Sequence, residues 1–369
     1  MLESVLGVRL LLWTGNPIPT PSPSLIEPLR SVEVHNDAES GDGFQMTFAL
    51  TKDAFGRYDV VDTLSPGTRI WIGAVIGVVP EQLIDGVVER HDLSPSDHPG
   101  ETTLTVTGTT VTSLLGLEEK NLAFANQPDY VIVTRTLASY PELGFVPDVM
   151  PTTDVPIELQ RTPQQRETDL ALIRRLADAN SFVFYSEPIT FGVNRAHWGP
   201  VVRTGIPQRR LTRGMGSHGN CSELSFSNDS LAPEGATGTF VEPITKMRIP
   251  IPALPALRLP PLSASPASAR RTTVLRETAN AGPIQTALAS AAAATRAPEA
   301  VRGQGRVETA RYGGVLRARG IVGVRGAGLD YDGYYFVTHV THSISRGTYN
   351  QGFGLSRDGT GTLTPAVIP

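Results

Sequence analysis

Apolar and polar residues alternate strictly along the first part of the chain. Val32 and Val34 share one face of a predicted strand, and every second residue from Phe44 to Leu50 is apolar after the turn signal Gly41–Gly43. Because successive side chains of a strand point to opposite faces, this pattern predicts strands with one buried face. Further strands are predicted at Val8–Trp13, Arg69–Ile76, Leu83–Asp92 and Thr102–Thr109. Several short alternating strands within about 100 residues favour a β-barrel or a β-sandwich.

The stretch Thr162–Tyr185 predicts a capped amphipathic helix that leads directly into an apolar strand. Thr162 is the expected N-cap, Pro163 suits the first helical position, and Gln165 completes a capping box. The apolar positions then recur at helical spacing, at Leu170, Ile173, Leu176 and Ala177. The predicted helix therefore spans 163–179, and the strand formers Phe182–Tyr185 follow it.

Two other stretches of the middle region, Val111–Asn121 and Asp129–Tyr140, also have helical spacing. Pro243–Pro266 carries seven prolines, so we predict an extended, polyproline-like linker that cannot be a central strand or a helix. The alanine-rich stretch Ile284–Arg296 predicts a short helix between two prolines. The middle region is therefore expected to mix helices and strands.

Strands return at the end of the chain, at Gly320–Val324, Tyr334–Ser345 and Tyr349–Ser356. Tyr334, Phe336, Val340 and Ile344 are expected to share one face of the longest of these strands. The sequence thus predicts an α+β protein that is mainly β. We divide it into a first β-rich module at 1–115, an α+β middle region at 116–230, a Pro/Ala-rich linker or insertion at 231–305, and strands of a second β-rich module at 306–369.

Composition limits the functions that the chain can have. It has 369 residues, of which 40% are hydrophobic and 18% charged, and its formal net charge is -4. This charge, together with the lack of a Lys/Arg stripe, argues against nucleic-acid binding. Cys221 is the one cysteine, so we expect no intrachain disulfide, an inert buried thiol and folding in a reducing cytoplasm. Glu3 in place of a basic leader and the lack of about 18 consecutive apolar residues predict neither a signal peptide nor a membrane span.

The histidines give weak evidence for a metal site. His339 and His342 lie three apart in a predicted strand, where such residues face opposite sides, so joint ligation of a metal is not expected. His218 and Cys221 are also three apart, but they have no second ligand pair and are interpreted as loop residues.

The remaining candidates are also better explained as turns. Gly216–Gly219 resembles a nucleophile elbow, but Met215 breaks the Gly-x-Ser-x-Gly pattern. Neither Gly303–Gly305 nor Gly326–Gly328 has the third glycine of a phosphate-binding loop, so both are interpreted as turns. The acidic cluster of Asp37, Glu39 and Asp42 lacks the ligand spacing of an EF-hand and is expected to be solvated. We therefore predict no enzyme activity, no cofactor, and no catalytic, cofactor-binding or metal-binding residue.

Three segments together resemble one known family. Ser113–Pro151 resembles the linker and helix of baseplate hub proteins from contractile tails, Arg166–Tyr185 resembles their helix–strand signature, and Asp332–Gly359 resembles their closing strands. The family includes the phage late control protein D, the myophage tail hub and the N-terminal hub part of VgrG spikes. It also has relatives in phage-derived extracellular contractile injection systems. The resemblance covers most of the chain except Pro243–Arg302.

The resemblance implies a structural function. Hubs of this family are trimers in which each subunit contributes two similar β-barrel modules. Six barrels then form a pseudo-sixfold ring between a hexameric inner tube above and a threefold spike below. The implied partners are two further copies of the chain, an inner tube protein, a separate spike protein and other baseplate proteins. The protein would be made in the bacterial cytoplasm and built into the baseplate of a phage tail or an injection particle.

The chain departs from some relatives in two ways, and two alternative functions are considered. No lysozyme domain is evident, and no spike domain is expected after Gly359. A VgrG relative of a type VI system would need such a spike extension. A secreted β-rich carbohydrate-binding protein or hydrolase would need a signal peptide and an exposed aromatic platform or a carboxylate pair. The sequence alone leaves open whether the particle is a phage tail or a cellular injection system, and what the stretch 243–266 does.

Overall fold

The computed structural model describes residues 8–52, 55–98, 101–152, 162–241, 247–254, 256, 258–275 and 283–363. Strands make up 49% of the structure and helices 17%, so the predicted class, α+β with mainly β structure, is confirmed. In the described part of the chain, no helix is both long and apolar enough to cross a membrane.

The strands follow one another through the whole chain. The first twelve are β1 Val8–Thr14, β2 Thr20–Pro21, β3 Leu29–Asp37, β4 Gly43–Leu50, β5 Arg69–Ile76, β6 Val79–Ser94, β7 Thr102–Thr110, β8 Glu119–Ala123, β9 Phe145–Val149, β10 Gln164–Thr168, β11 Val183–Thr190 and β12 Val193–Gly199. The others are β13 Gln208–Thr212, β14 Cys221–Asn228, β15 Glu234–Val241, β16 Arg248–Leu254, β17 Ser265–Pro266, β18 Arg271–Val274, β19 Val301–Glu308, β20 Ile321–Arg325, β21 Gly333–Ser345, β22 Thr348–Arg357 and β23 Gly359–Thr360. The helices are α1 Asp59–Thr63, α2 Asp129–Ala138, α3 Asp169–Ala179, α4 Pro283–Arg296 and α5 Thr309–Tyr312.

One 13-stranded sheet runs through both ends of the chain. Its main path is β14-β19-β22-β21-β3-β4-β7-β6-β5-β1-β2, with β20 pairing to β21 and β13 pairing to β20. Strands from the beginning and the end of the chain meet where β3 and β21 pair antiparallel, from His339 opposite Asp37 to Ser345 opposite Ser31. We call this β3–β21 pairing the seam. Through the seam, the two β-rich ends form one hydrogen-bonded sheet.

The described residues form three apolar cores. The first core is built by β1 and β3–β7 and includes Ile344 and Tyr349 from β21 and β22. The middle core is built by α2, α3 and β12, with the fully buried Trp198 among its members. The third core is built by β13, β14 and β19–β22. The pairing of β13 and β14 with these late strands joins 208–228 to the second β-rich end.

The alternating pattern of the first module predicted its strands well. All six strands predicted there are present, and Val32, Val34, Met46 and Phe48 are fully buried. The three strands predicted at the end of the chain are also present, as β20, β21 and β22. The face predicted for β21 is confirmed for Val340 and Ile344, which are buried, but it is wrong for Tyr334 and Phe336, because a bulge between Val337 and His339 shifts the register. Tyr335 and Val337 therefore enter the third core in place of Tyr334 and Phe336.

The predicted helix 163–179 begins six residues too early. Residues 164–168 form β10, which pairs antiparallel with β8, and α3 starts at Asp169. The N-cap is Thr168, whose side-chain oxygen accepts a hydrogen bond from the Ala171 amide at 3.3 Å. The Thr162–Gln165 capping box is therefore wrong, because Gln165 is buried in a strand. The sequence around Thr162 carries a regular cap signal, and for that reason the true N-cap at Thr168 was not recognised.

Two more predictions need correction. Val111–Asn121 is not one helix, because a 3-10 turn at Val111–Gly116 is followed by β8. Arg248–Leu254, inside the predicted polyproline linker, is β16, which pairs with β15 at the edge of the three-stranded sheet β16-β15-β18. Prolines lack an N–H and are tolerated there because one side of an edge strand needs no partner. The linker residues 243–246, 255 and 257 lie outside the described residues. Helices α2 and α4 confirm the other two helix predictions.

Candidate assembly surfaces and tests for a chemical site

The structure places His339 and His342 on opposite faces of the sheet. His342 is fully buried, and its Nδ1 lies 3.0 Å from the Tyr349 hydroxyl. Burial lowers the pKa of His342 to about 3, so it is neutral at pH 7. His339 lies on the outer face, with its ring 6.0 Å from that of His35. Among the described residues, no group of three His, Cys, Asp or Glu side chains is arranged to hold a metal.

His218 and Cys221 also lie in different environments. His218 ends an exposed 3-10 turn, Gly216–His218, and Cys221 is the buried first residue of β14. Burial raises the pKa of the Cys221 thiol to about 11, so the thiol is protonated and weakly reactive at pH 7. The Gly216–Gly219 turn leads into a strand, whereas a nucleophile elbow leads from a strand into a helix.

The two Gly-x-Gly sequences differ in structure. Gly326 and Gly328 form the predicted turn and have φ angles of +89° and +96°. Gly303 and Gly305 do not, because both lie in β19, so that prediction is wrong. A Cβ atom on Gly303 would stand 2.7 Å from the Phe226 ring, so these glycines make room for aromatic side chains.

The acidic cluster near residue 40 is also different from the prediction. Asp42 is buried and pairs with Arg319, whose Nη2 lies 2.6 Å from Asp42 Oδ1. Asp37 accepts hydrogen bonds from the Glu39 and Ser40 amides at 2.7 and 2.9 Å. The expectation of a solvated cluster is therefore wrong for Asp42, whose partner lies 277 residues away in the chain.

The ion pair of Arg319 and Asp42 connects the β3–β4 hairpin to the residues before β20. We call this contact the seam junction. Arg319 also donates to the Asp37 carbonyl, and its guanidinium lies 4.5 Å from the centre of the Tyr185 ring. The carboxylate of Asp42 raises the pKa of Arg319 against the opposing effect of burial. Nearby, the hydrogen bond to Asp37 raises the pKa of His35. The junction thus joins the first module, the middle region and the second β-rich end.

A second buried ion pair, Arg69 with Asp85, forms what we call the middle junction. Arg69 Nε and Nη2 donate to the two Asp85 oxygens at 2.9 and 2.7 Å, and both side chains are at most 5% exposed. Asn194 donates to Asp85 Oδ2 at 2.7 Å. Arg69 also donates to the carbonyls of Glu142 and Leu143, at 2.8 and 3.0 Å. The first module is thereby fixed to the middle region by a bidentate, charge-assisted pair.

Aromatic packing reinforces the middle junction. Phe191, in the turn between β11 and β12, stacks on Trp13 at 5.2 Å and tilts against Trp71 at 6.1 Å. The neighbouring Gly192 has a φ of +81°, and a Cβ atom there would lie 3.0 Å from the Trp71 ring. The turn therefore needs glycine for both its conformation and its close approach.

The N-terminus of α3 is held by a third polar cluster. Asp169 accepts hydrogen bonds from Lys120 at 2.6 Å, from Tyr140 at 2.7 Å and from Gln165 at 2.7 Å. Burial favours the protonated form of Asp169, but the hydrogen bonds outweigh it and lower the pKa below its usual value. The cluster ties α3 to β8, α2 and β10, and it explains why Gln165 is buried.

The outer strands of the large sheet are its candidate contact surfaces. β14 ends the sheet on one side, and Arg213 covers only its start, by donating to the carbonyls of Cys221 and Ser222. On the other side, β2 pairs with Trp13 and Thr14 only. In the described part of the chain, no other strand pairs with the outer edge of β1. Unpaired strand edges are templates for contact with another chain.

Sequence reasoning assigned no residues to these junctions. A weak signal was present, because Arg69 directly precedes the apolar run Ile70–Ile76 and Asp85 interrupts the apolar run Leu83–Val88, where an unpaired charge would be costly. The partners could not be deduced, since Asp85 and Asn194 are 109 residues apart.

Comparison with known proteins finds the fold among tail proteins. No family model and no curated protein matches the chain. A tail protein from Neisseria meningitidis has a TM-score of 0.62 at 14% identity, over 96% of this chain and 98% of its own. The 43 kDa tail protein of prophage MuSo2 from Shewanella oneidensis has a TM-score of 0.64 at 15% identity, over 96% and 99%.

Type VI secretion proteins share the fold as well. A component of the type VI secretion system of E. coli has a TM-score of 0.52 at 14% identity, over 92% of this chain and 77% of its own. In the Francisella PdpA–VgrG complex the TM-score is 0.58 at 8% identity, and this chain spans 54% of that chain. The resemblance to contractile-tail hub proteins found in the sequence is therefore confirmed at the level of the fold.

Proposed function

We propose that this protein, which has the fold of phage tail and type VI spike proteins, is the hub of a contractile baseplate. Three copies would form a ring to which each contributes two β-barrel modules. The ring would adapt a threefold spike below to a sixfold inner tube above. Its function would be mechanical, without catalysis, and it would move with the tube and the spike when the sheath contracts.

The continuity of the sheet across the seam is the observation that carries the proposal. β3 and β21 join the two β-rich ends by backbone hydrogen bonds, and the seam junction clasps the same place with a buried ion pair. Two modules held in this way cannot rotate freely against each other. A subunit that occupies two positions of a sixfold ring needs such a fixed spacing between its modules.

The three cores suggest how the chain is divided between the modules. We assign the strands around the first core to one barrel. The other barrel takes β13 and β14 together with β19–β22, because they share the third core. The middle region would then be fixed to the first barrel through the middle junction. The unpaired edges of β14 and β1 are the surfaces that we assign to contacts between neighbouring copies.

The oligomeric state in solution tests the proposal. Native mass spectrometry or light scattering is expected to give three times the chain mass of 39.5 kDa. Mixed with a tube protein and a spike protein encoded beside it, the chain is expected to form particles with a ring at one end, visible by electron microscopy. A stable monomer that joins neither partner would overturn the proposal.

The type VI relatives favour one alternative setting for the same function. In that setting the chain would form the hub part of a VgrG-like spike complex, as the shared fold with the Francisella protein allows. The neighbouring genes discriminate, because a phage locus carries tail-tube and sheath genes with capsid genes, and a cellular injection system lacks the capsid genes. Localisation to a baseplate follows in both settings.

A further inference from the structure

A cleft of about 680 Å³ lies between the middle region and the second β-rich end. One wall is formed by α3 and the start of β11, and the opposite wall by the end of α4 and residues 298–299. The floor is the outer face of β19, β21 and β22, and the β3–β4 turn closes one end. The cleft is separate from the outer strands assigned to contacts between copies.

The walls of the cleft combine apolar side chains with an unpaired strand edge. Phe182, Val183 and Phe184 line one side and are only half-buried, and Phe336 lies in the floor. β11 is the terminal strand of the sheet β11-β12-β9, so one of its edges has no strand partner among the described residues. Such an edge beside an apolar groove suits an extended peptide, which would add to it as a strand.

The inner part of the cleft has more positive than negative charge. Arg203 donates to Glu299 Oε1 at 2.8 Å, and Arg258 Nη1 lies 3.9 Å from the same oxygen. Two guanidinium groups therefore share one buried carboxylate. Burial, together with the charges of Arg203 and Arg302, lowers the pKa of Arg258.

Two more arginines stand at the mouth of the cleft. Arg174 and Arg302 are exposed, and the guanidinium group of neither has an ion pair or a hydrogen bond with any residue that the structure describes. By contrast, Arg296 at the same mouth is paired with Asp178 at 2.6 Å. Glu39, on the β3–β4 turn at the rim of the cleft, is an acidic residue whose negative charge favours the charged form of Arg258. Free carboxylates of a ligand would complement the two unpaired arginines.

We propose that this cleft binds an extended segment of a partner polypeptide in which carboxylate and apolar side chains alternate. The segment would pair with the outer edge of β11, place its apolar side chains against the phenylalanines, and direct its carboxylates to Arg174 and Arg302. This inference does not depend on the hub function, because the cleft lies within one copy of the chain.

The test uses a fluorescein-labelled hexapeptide of alternating valine and aspartate as the probe, with the full chain titrated by fluorescence anisotropy. A peptide of alternating valine and lysine is the control for charge. The acidic peptide is expected to bind at least about tenfold more tightly than the basic one. Hydrogen exchange is expected to show added protection of the backbone amides at Val183–Tyr185 when the acidic peptide is present.

Charge-reversal variants sharpen the test. Arg302→Glu and Arg174→Glu are each expected to weaken binding of the acidic peptide about tenfold, and Glu39→Lys is expected to tighten it by a few fold. Arg166→Glu is the matched control, since Arg166 is an exposed arginine of β10 outside the cleft, and it is expected to change binding less than about twofold. These side chains are exposed, so the substitutions are expected to leave the fold intact. Unchanged melting curves would check this.

Each result decides the matter. Weaker binding in Arg302→Glu, tighter binding in Glu39→Lys and protection of β11 would support the proposal. No binding of the acidic peptide up to about 1 mM, equal binding of the basic peptide, or an unaffected Arg302→Glu variant would overturn it. Binding without protection of β11 would overturn the strand addition. None of these outcomes depends on whether the chain is a trimer, so the hub proposal stands or falls separately.

Discussion

The middle junction and the seam junction are both buried Arg–Asp pairs, but their surroundings differ. Arg69 meets Asp85 with two parallel hydrogen bonds, and its other donors reach backbone carbonyls of the middle region. Arg319 meets Asp42 with Nη1 and Nη2, while its Nε is buried without a hydrogen-bond partner. The Arg69 guanidinium is therefore the more completely satisfied of the two.

The neighbours of the two pairs extend this difference. The middle junction is surrounded by Asn194 and an aromatic cluster, which do not titrate near pH 7. The seam carries His35 and His339 on its outer face and His342 on its inner face. We infer that the attachment of the first module to the second β-rich end depends on histidine protonation.

Asp85→Asn is expected to have the largest effect on stability. All three hydrogen bonds at Asp85 are accepted by its oxygens, so an amide group would put a donor against Arg69 or Asn194. Breaking a buried pair leaves an uncompensated charge and is expected to cost about 4 kcal/mol of unfolding free energy. Urea denaturation measures the loss.

The matched control for that variant is Asp92→Asn. Asp92 pairs with Arg90 at 2.8 Å, but the two side chains are 52% and 70% exposed. Its loss is expected to cost less than about 1 kcal/mol. If both variants lost the same amount, the middle junction would not be the strong attachment that we infer.

Asp42→Asn is expected to cost less, about 3 kcal/mol. The substituted amide oxygen still accepts the Asp37 amide, which Asp42 Oδ1 does at 2.9 Å. Arg319 also keeps the Asp37 carbonyl and the Tyr185 ring, which partly stabilise its charge. The same denaturation measurement applies, and a loss larger than that of Asp85→Asn would reverse the ranking of the two junctions.

The two junctions also mark the limit of prediction from sequence. Alternation located the strands because burial of one face dictates every second residue, as at Val32 and Val34. It failed in β21 because a bulge at Val337–His339 changes the period, and no residue type announces it. It also failed at Gln165, where both a capping box and a buried strand suit the local sequence.

The junctions themselves were beyond local reasoning. Asp42 belongs to a turn-like acidic sequence, and its buried carboxylate is paired with Arg319. Arg319 has a φ of +64°, a conformation that the sequence does not predict for an arginine. An ion pair between residues 277 positions apart depends on the whole fold, whereas a turn can be predicted from neighbouring residues.

The third prediction concerns the pH dependence of the seam. The folded pKa of His342, about 3, lies below its unfolded value near 6.5, so between these values the unfolded chain binds a proton that the folded chain does not. Stability therefore falls as the pH drops below the unfolded pKa, by about 1.4 kcal/mol per unit. His342→Gln is expected to remove about 2 kcal/mol of the loss between about pH 7.5 and about pH 5.

His35 acts in the opposite direction, so the comparison must be between wild type and variant. Its raised pKa contributes stability below the unfolded pKa, and that stability is lost as the pH rises through the folded value. The difference between the two denaturation series isolates His342, because His35 is present in both. Parallel stability curves for the two proteins would refute a buried neutral histidine at the seam.

The smallest effect is expected when both charges of the seam junction are removed together. Asp42→Asn combined with Arg319→Gln leaves no buried charge, and the Asp37 amide retains an acceptor. Replacing a buried pair by neutral groups is often close to neutral, so the double variant is expected to lose only about 1 kcal/mol, less than Asp42→Asn alone. The comparison is a double-mutant cycle read by urea denaturation. A double variant as unstable as the sum of its single changes would show that the seam is held by separate contacts of the two residues, and not by their pairing.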